Sequence, residues 1–185
     1  MLADCDNFGP VNVLADHLRK GLDLVFVGIN PGLKSAAAAR HYAGPGNHFW
    51  PLLYESRLVT EALTFAQDER VLEWNIGLTN MVDRASPGIA DLSADELRAG
   101  AAKLRRKLLK YQPRIACFNG KRIFEVFAGR RCALGLQPAS VGRTALYVMP
   151  STSARGAAYQ RADKLPFFLE LRRLVALSPA RVVAS

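Results

Sequence analysis

The chain has 185 residues, half of them hydrophobic, which suits one domain with a sizeable core. Its 25 Lys and Arg outnumber its 16 Asp and Glu, and the formal charge of +9 favours an anionic partner such as DNA or RNA. Cys5, Cys117 and Cys132 have neither the pairing nor the spacing of a disulfide framework, a zinc site or an iron–sulfur site, and no apolar run reaches the ~18 residues of a membrane span. A reduced cytoplasmic setting is expected, beside the nucleoid in a bacterium or in the nucleus of a eukaryote.

The first apolar run, residues 23–29, predicts a buried strand. It leads into Asn30-Pro31-Gly32, which is turn chemistry: Asn30 starts the turn, Pro31 fixes φ and Gly32 takes a positive φ. Residues 41–50, His-Tyr-Ala-Gly-Pro-Gly-Asn-His-Phe-Trp, are dense in aromatic, His and Gly side chains. Glycine lets a backbone approach a ligand closely, and Tyr42 is suited to stack on a planar base. Asn47 is placed to cap a helix over residues 47–57, with Phe49 and Trp50 in the core and His48 as a structural hydrogen-bonding residue.

A second strand is expected at Ile76–Asn80. Ser93-x-x-Glu96 is a capping box that opens a helix to about Tyr111, with Leu97, Leu104 and Leu108 on one face. Lys103, Arg105, Arg106, Lys107 and Lys110 spread over the remainder as a solvated face. A third strand covers residues 114–118, and Asn119-Gly120-Lys121 then opens a helix over Lys121–Ala128, whose N-terminus can hold a phosphate. The single Gly-Lys pair lacks P-loop spacing. A fourth strand, residues 145–149, ends before the polar segment Ser151-Thr152-Ser153-Ala154-Arg155. Residues 162–177 form the last helix, 1–177 make a single domain, and 178–185 are a loose tail. Strands alternating with helices predict a three-layer α/β/α sandwich with a mostly parallel central sheet. In such sheets ligands bind beyond the carboxyl ends of the strands.

Five segments in order carry a resemblance: Gly28-Ile29-Asn30-Pro31-Gly32, then residues 44–50, 77–84, 111–120 and 148–155. Together they span about residues 22–174 and resemble the mismatch-specific uracil/thymine DNA glycosylases of the uracil-DNA glycosylase superfamily. The wording is closer to the thymine-DNA glycosylase branch than to the shorter bacterial mismatch-uracil branch. The resemblance implies the uracil-DNA glycosylase fold and a monomer that needs no metal, flavin or nucleotide. It also implies that uracil, and secondarily thymine, mispaired with guanine is flipped from double-stranded DNA and hydrolysed off, leaving an abasic site.

By resemblance, Asn30 holds the attacking water. A carboxamide orients water without taking a full proton, so bond breaking leads through an oxocarbenium-like sugar and the base leaves as an anion. Backbone near Gly28 and Ile29, with the Asn80 amide, would stabilise that anion. Asp83 is the rival catalytic group, since a carboxylate is the stronger base; alternatively it is a carboxylate paired with Arg84. Tyr42 would form the floor under the flipped base, with Asn80 and Ser86 at the pyrimidine edge. His41 and Ser35 would lie near the 5-methyl region, and Ser35 stands where relatives often have Ala. Ser151, Thr152, Ser153 and Ala154 would enter the duplex, with Arg155 filling the vacancy; Gly156 follows where relatives often have Cys. Gly120, Lys121, Arg161 and Lys164 would meet phosphates. Two other classes fit parts of the pattern. One is a non-catalytic binder of damaged DNA, against which Asn30 speaks. The other is an enzyme of small phosphorylated ligands, which has no use for the 151–155 segment.

Overall fold

The computed structural model describes residues 14–154 and 159–177. Strands β1 (Leu24–Gly28), β2 (Ile76–Asn80), β3 (Ile115–Asn119), β4 (Gly135–Val141) and β5 (Thr144–Met149) form one sheet in the order β2-β1-β3-β5-β4. All neighbours are parallel except β4, which runs antiparallel to β5. The helices are α1 (Leu33–Ala38), α2 (Phe49–Glu55), α3 (Ala94–Tyr111), α4 (Lys121–Ala128) and α5 (Arg161–Ala176).

Alternation along the strands builds the three layers. Side chains of successive strand residues point to opposite faces. Leu24, Phe26, Ile115, Cys117 and Tyr147 pack with Leu52 and Leu53 of α2 and Phe168 and Leu171 of α5. Val25, Val27, Ala116, Phe118 and Val148 pack with Leu104 and Leu108 of α3 and Phe124 and Phe127 of α4. Every residue of β1, β2, β3 and β5 is buried, which is why these strands read as continuous apolar runs rather than alternating ones.

Several expectations need correction. Gly32 does not take a positive φ; at φ −66° and ψ 155° it is the extended residue that precedes α1. The left-handed residues of this region are Ala39 (φ 51°), Tyr42 (φ 55°) and Gly46 (φ 69°). The second helix begins at Phe49 rather than Asn47, although the Asn47 side chain still accepts a hydrogen bond from the Phe49 N–H (3.0 Å). β4 carries no continuous apolar signal because it is a half-exposed edge strand containing Gly135 and Pro138, with a register shift between Leu136 and Ser140. A 3₁₀ segment, Phe65–Trp74, is half charged and polar residues and also carries no periodic signal.

The order of strands positions the site. From β1 the chain returns to the sheet at β2 on one side, and from β3 it returns on the other side, at the edge strand β4, which turns back into β5 beside β3. The loops leaving β1 and β3 therefore diverge and open a crevice beyond their carboxyl ends.

Candidate active site

The crevice is a cavity of about 680 Å³ walled by the loops that follow β1, β2, β3 and β5. That volume suits a small planar ligand. Gly28 and Asn80 are register partners at the ends of β1 and β2. The absence of a Cβ at Gly28 leaves room for Asn80 Oδ1, which an added Cβ would displace. Backbone bonds Met81 N→Gly28 O (2.9 Å), Val82 N→Ile29 O (2.8 Å) and Ser86 N→Pro31 O (3.1 Å) continue the pairing of the two strands into their loops.

These bonds fix Asn30. Its Nδ2 donates to the Arg84 carbonyl (2.9 Å) and to Ser86 Oγ (2.8 Å). Ser86 Oγ in turn donates to the Gly88 carbonyl (2.7 Å), so its lone pair is what Asn30 meets. A carbonyl only accepts, and this settles which end of the amide is nitrogen. Asn30 Oδ1 is left as an acceptor, and no described residue donates to it. Asn80 differs: it is 8% exposed, lines the cavity, and no described residue bonds its side-chain amide.

Tyr42 lines the cavity with its ring stacked on Phe49 (centroids 3.9 Å apart, 20° between planes). Phe49 is fully buried behind it. Burial raises the Tyr42 phenol well above its ordinary range, against a hydrogen bond shared with the Asn119 side chain. The left-handed backbone at Tyr42 is held through its neighbour. The His41 N–H donates to Asp68 Oδ2 (2.8 Å), His41 Nε2 meets the Ala15 carbonyl (2.9 Å), and Trp50 Nε1 donates to the His41 carbonyl (3.3 Å). Burial lowers the His41 imidazole to about 4, so the ring is neutral at pH 7. His17, His41 and Asp68 offer ligand atoms within 4.8 Å of one another, the one such group among the described residues. Asp68 is already bonded by Arg40 (2.7 Å) and by the His41 N–H, so these groups are engaged in holding the Tyr42 loop. Ser35 Oγ accepts from the Ala43 N–H (3.1 Å), so that hydroxyl also serves the loop.

The loop after β5 closes the opposite wall. Thr152 is fully buried and clamped from two sides. Its N–H donates to Asn119 Oδ1 (2.8 Å), its Oγ1 accepts from Asn119 Nδ2 (2.8 Å), and its carbonyl accepts from the His48 N–H (3.0 Å). Ser151, Thr152, Ser153 and Ala154 all line the cavity, as does Gly120, whose φ of +138° turns the chain into α4. Arg155 lies outside the described residues.

The cavity thus gathers Gly28, Ile29, Asn30, Ser35, His41, Tyr42, Asn80, Ser86, Gly120 and the 151–154 segment. It does not include Asp83, which is ion-paired with Lys103 rather than with Arg84. Arg84 instead pairs with Glu96 (2.5 Å) at the capping box of α3, and the arginine first, then the Ser93 N–H, holds that carboxylate down to about 2. Lys121 is exposed beside the cavity but not in its wall, and Arg161 is ion-paired with Glu55. Lys164 is buried, not on a phosphate-facing surface. Lys34 and Arg122 are in the wall although the sequence did not single them out, and Asn119 is there although it was named only where it opens the α4 helix and within segment 111–120. Asp68, buried within a charged segment, had no signal at all.

A family model described as the uracil DNA glycosylase superfamily matches residues 15–175. A solution structure of a protein from Methanosarcina acetivorans, described provisionally as a uracil DNA glycosylase, superimposes with a TM-score of 0.55. The two chains are 19% identical over 88% of this chain and 98% of that one, a likeness that bears on the fold.

Proposed function

The chain belongs to the uracil DNA glycosylase superfamily and so carries the fold and chemistry of a DNA glycosylase, and from that premise we propose that it removes uracil mispaired with guanine from double-stranded DNA, with thymine in the same mispair as a secondary substrate. It acts as a monofunctional hydrolase: water is the nucleophile and an abasic site is the product.

The observation that carries this reading is the fixed carboxamide of Asn30. Its nitrogen is engaged by Arg84 O and Ser86 Oγ, which leaves Oδ1 as the acceptor just past the carboxyl end of β1. An oxygen in that place accepts a hydrogen bond from water and aims the water's lone pair at a sugar carbon. An amide is too weak a base to take the proton early, so the glycosidic bond must stretch first. The departing base then carries negative charge, which donors already aimed at it stabilise most. The Asn80 amide, without a hydrogen-bond partner among the described residues, is suited to that contact. Tyr42 offers a rigid ring for stacking, backed by Phe49.

Asp83 is the poorer candidate, since its ion pair with Lys103 holds it outside the cavity wall. The 151–154 segment on the opposite wall supports a duplex substrate over a free nucleotide. It leads directly into Arg155, the residue we assign to the vacated space in the helix.

The test is single-turnover base release from duplexes carrying uracil or thymine opposite guanine, uracil opposite adenine, and single-stranded uracil. Asn30→Ala should lose at least about a hundredfold in rate while still binding an abasic duplex. Asp83→Ala should stay within a fewfold of wild type. Unchanged release by Asn30→Ala refutes the assignment, and equal rates on single strands and duplexes refute the mispair preference.

A further inference from the structure

Lys164 is 1% exposed, yet among the described residues no carboxylate forms an ion pair with it. Its ammonium donates to the Ser153 carbonyl (3.4 Å) and faces His48 Nδ1 (3.2 Å). The adjacent Asp163 uses its carboxylate on the Gln160 N–H (2.8 Å) at the start of α5. Lys164 also sits in the first turn of that helix, the positive end of its dipole. A buried cation without a counter-ion, at the wrong end of a helix, works against stability. Hydrophobic residues of similar volume would serve the fold better there.

We infer that Lys164 is the buried counter-charge for a DNA phosphate held on the outer side of the 151–154 loop, acting through that loop as a positioning residue without touching the phosphate. This deepens the glycosylase reading above and rests on it. Lys164 pulls the Ser153 carbonyl inward, while Asn119 and His48 hold Thr152 on either side. The exposed Ser151 is left at the surface beside Gly120. A phosphate docking there lies one loop thickness from the ammonium, across a medium that screens poorly. Among the described residues the charge has no counter-ion, and DNA completes the pair. Burial lowers the Lys164 ammonium, with only the Asp163 charge opposing it, and burial first, then the charges of Lys164 and Arg161, lowers the His48 imidazole, so its Nδ1 accepts.

The experiment compares wild type, Lys164→Met and Lys164→Arg in binding a duplex with a tetrahydrofuran abasic analogue opposite guanine, from about 50 to 300 mM salt. Methionine keeps the stem and removes the charge; arginine keeps the charge. Lys164→Met should flatten the slope of log Kd against log salt by about one and weaken low-salt binding about tenfold. It should melt no lower than wild type, and Lys164→Arg should restore the slope. A Met variant with the wild-type slope overturns the inference, including one that melts lower and binds uniformly worse at every salt concentration. Should Lys164→Met fail to fold, the Lys164 side-chain resonance of wild type is titrated by NMR, free and DNA-bound. Binding must raise its pKa, and an unmoved value is equally fatal. Wild type that neither releases base nor binds duplex in a salt-dependent way overturns the glycosylase reading along with this one. Base release with an unaltered Lys164→Met slope overturns this one alone.

Discussion

Asn30 and Asn80 both carry a carboxamide into the cavity, but only Asn30 has its orientation fixed, through Arg84 O and the Ser86–Gly88 hydrogen bond. Ser86, expected at the pyrimidine edge, has its hydroxyl committed in both directions, so Ser86→Ala tests which role it plays. Loss of one neutral hydrogen bond, ~1 kcal/mol, should slow single-turnover release about fivefold without changing the uracil-to-thymine ratio. A changed ratio would mean that Ser86 reads the base. Gly28→Ala addresses the free amide. The new Cβ meets only the tip of the Asn80 side chain, which can swing away. Base release should therefore fall while the melting temperature moves by no more than a few degrees; a large loss of stability would show that backbone had to shift. His41 gives a pH dependence. Its folded imidazole is lowered to about 4, below an ordinary value of 6.5. The unfolded chain takes up that proton first as pH falls, so the contribution to stability is complete above pH 6.5 and is lost between 6.5 and 4. It amounts to about 3 kcal/mol. Urea unfolding at pH 7 and pH 5 should show about 2 kcal/mol of this loss in wild type and not in His41→Gln; equal losses in both would dismiss His41 as the cause.

Helix α3 shows how an element's surroundings overrule its propensities. Gly100 lies in its buried face, where an added Cβ would sit 2.7 Å from the Met81 carbonyl and 2.8 Å from Val82 Cγ2. Alanine is the better helix former by about 1 kcal/mol, but the clash is with backbone of the very loop that bonds Gly28 and Ile29. Gly100→Ala should destabilise the protein by about 1–3 kcal/mol in urea unfolding and slow base release; a more stable variant would mean the helix can move away freely. The ends of α3 were legible because a capping box is a local signal: Ser93 and Glu96 satisfy each other's backbone donors within four residues. The buried strands were legible for a similar reason, since two covered faces leave a run of apolar residues. β4 was not, because an edge strand with Pro138 has little apolar surface to bury. The cavity wall divides in the same way. Asn30, Tyr42 and Ser151 had their roles expected from their own motifs, whereas Asn119 in the wall and Lys164 behind it acquire theirs from partners 33 and 11 residues away. Asp68 is the extreme case, a carboxylate in a charged segment that turns inward to meet His41 and Arg40.

At the scale of the whole molecule, the charge of +9 has to be divided between internal use and DNA. The basic face of α3 is largely spoken for. Lys103 pairs with Asp83, Lys107 with Asp16 (2.7 Å), Arg105 lies over the Phe127 ring (4.9 Å) and Lys110 over Tyr111 (5.1 Å). Such groups fasten α3 to its neighbours, and their positive charge is partly cancelled where it stands. The cavity rim differs. Lys34 has no ion pair among the described residues, and Arg122 has only a long contact to Glu125 (3.6 Å). A sugar-phosphate chain crossing the mouth would meet these two first. Their location follows from topology, since Lys34 opens the helix after β1 and Arg122 the helix after β3, on the two diverging walls of the crevice. Neutralising Lys34 and Arg122 together should lower the slope of log Kd against log salt by about two, because each phosphate contact contributes about 0.9. Neutralising Arg106 and Lys110, an equal change in net charge on the far element, should leave it nearly unaltered. Equal shifts from both pairs would mean that DNA responds only to total charge, and the crevice between β1 and β3 would lose its claim to be where the duplex sits.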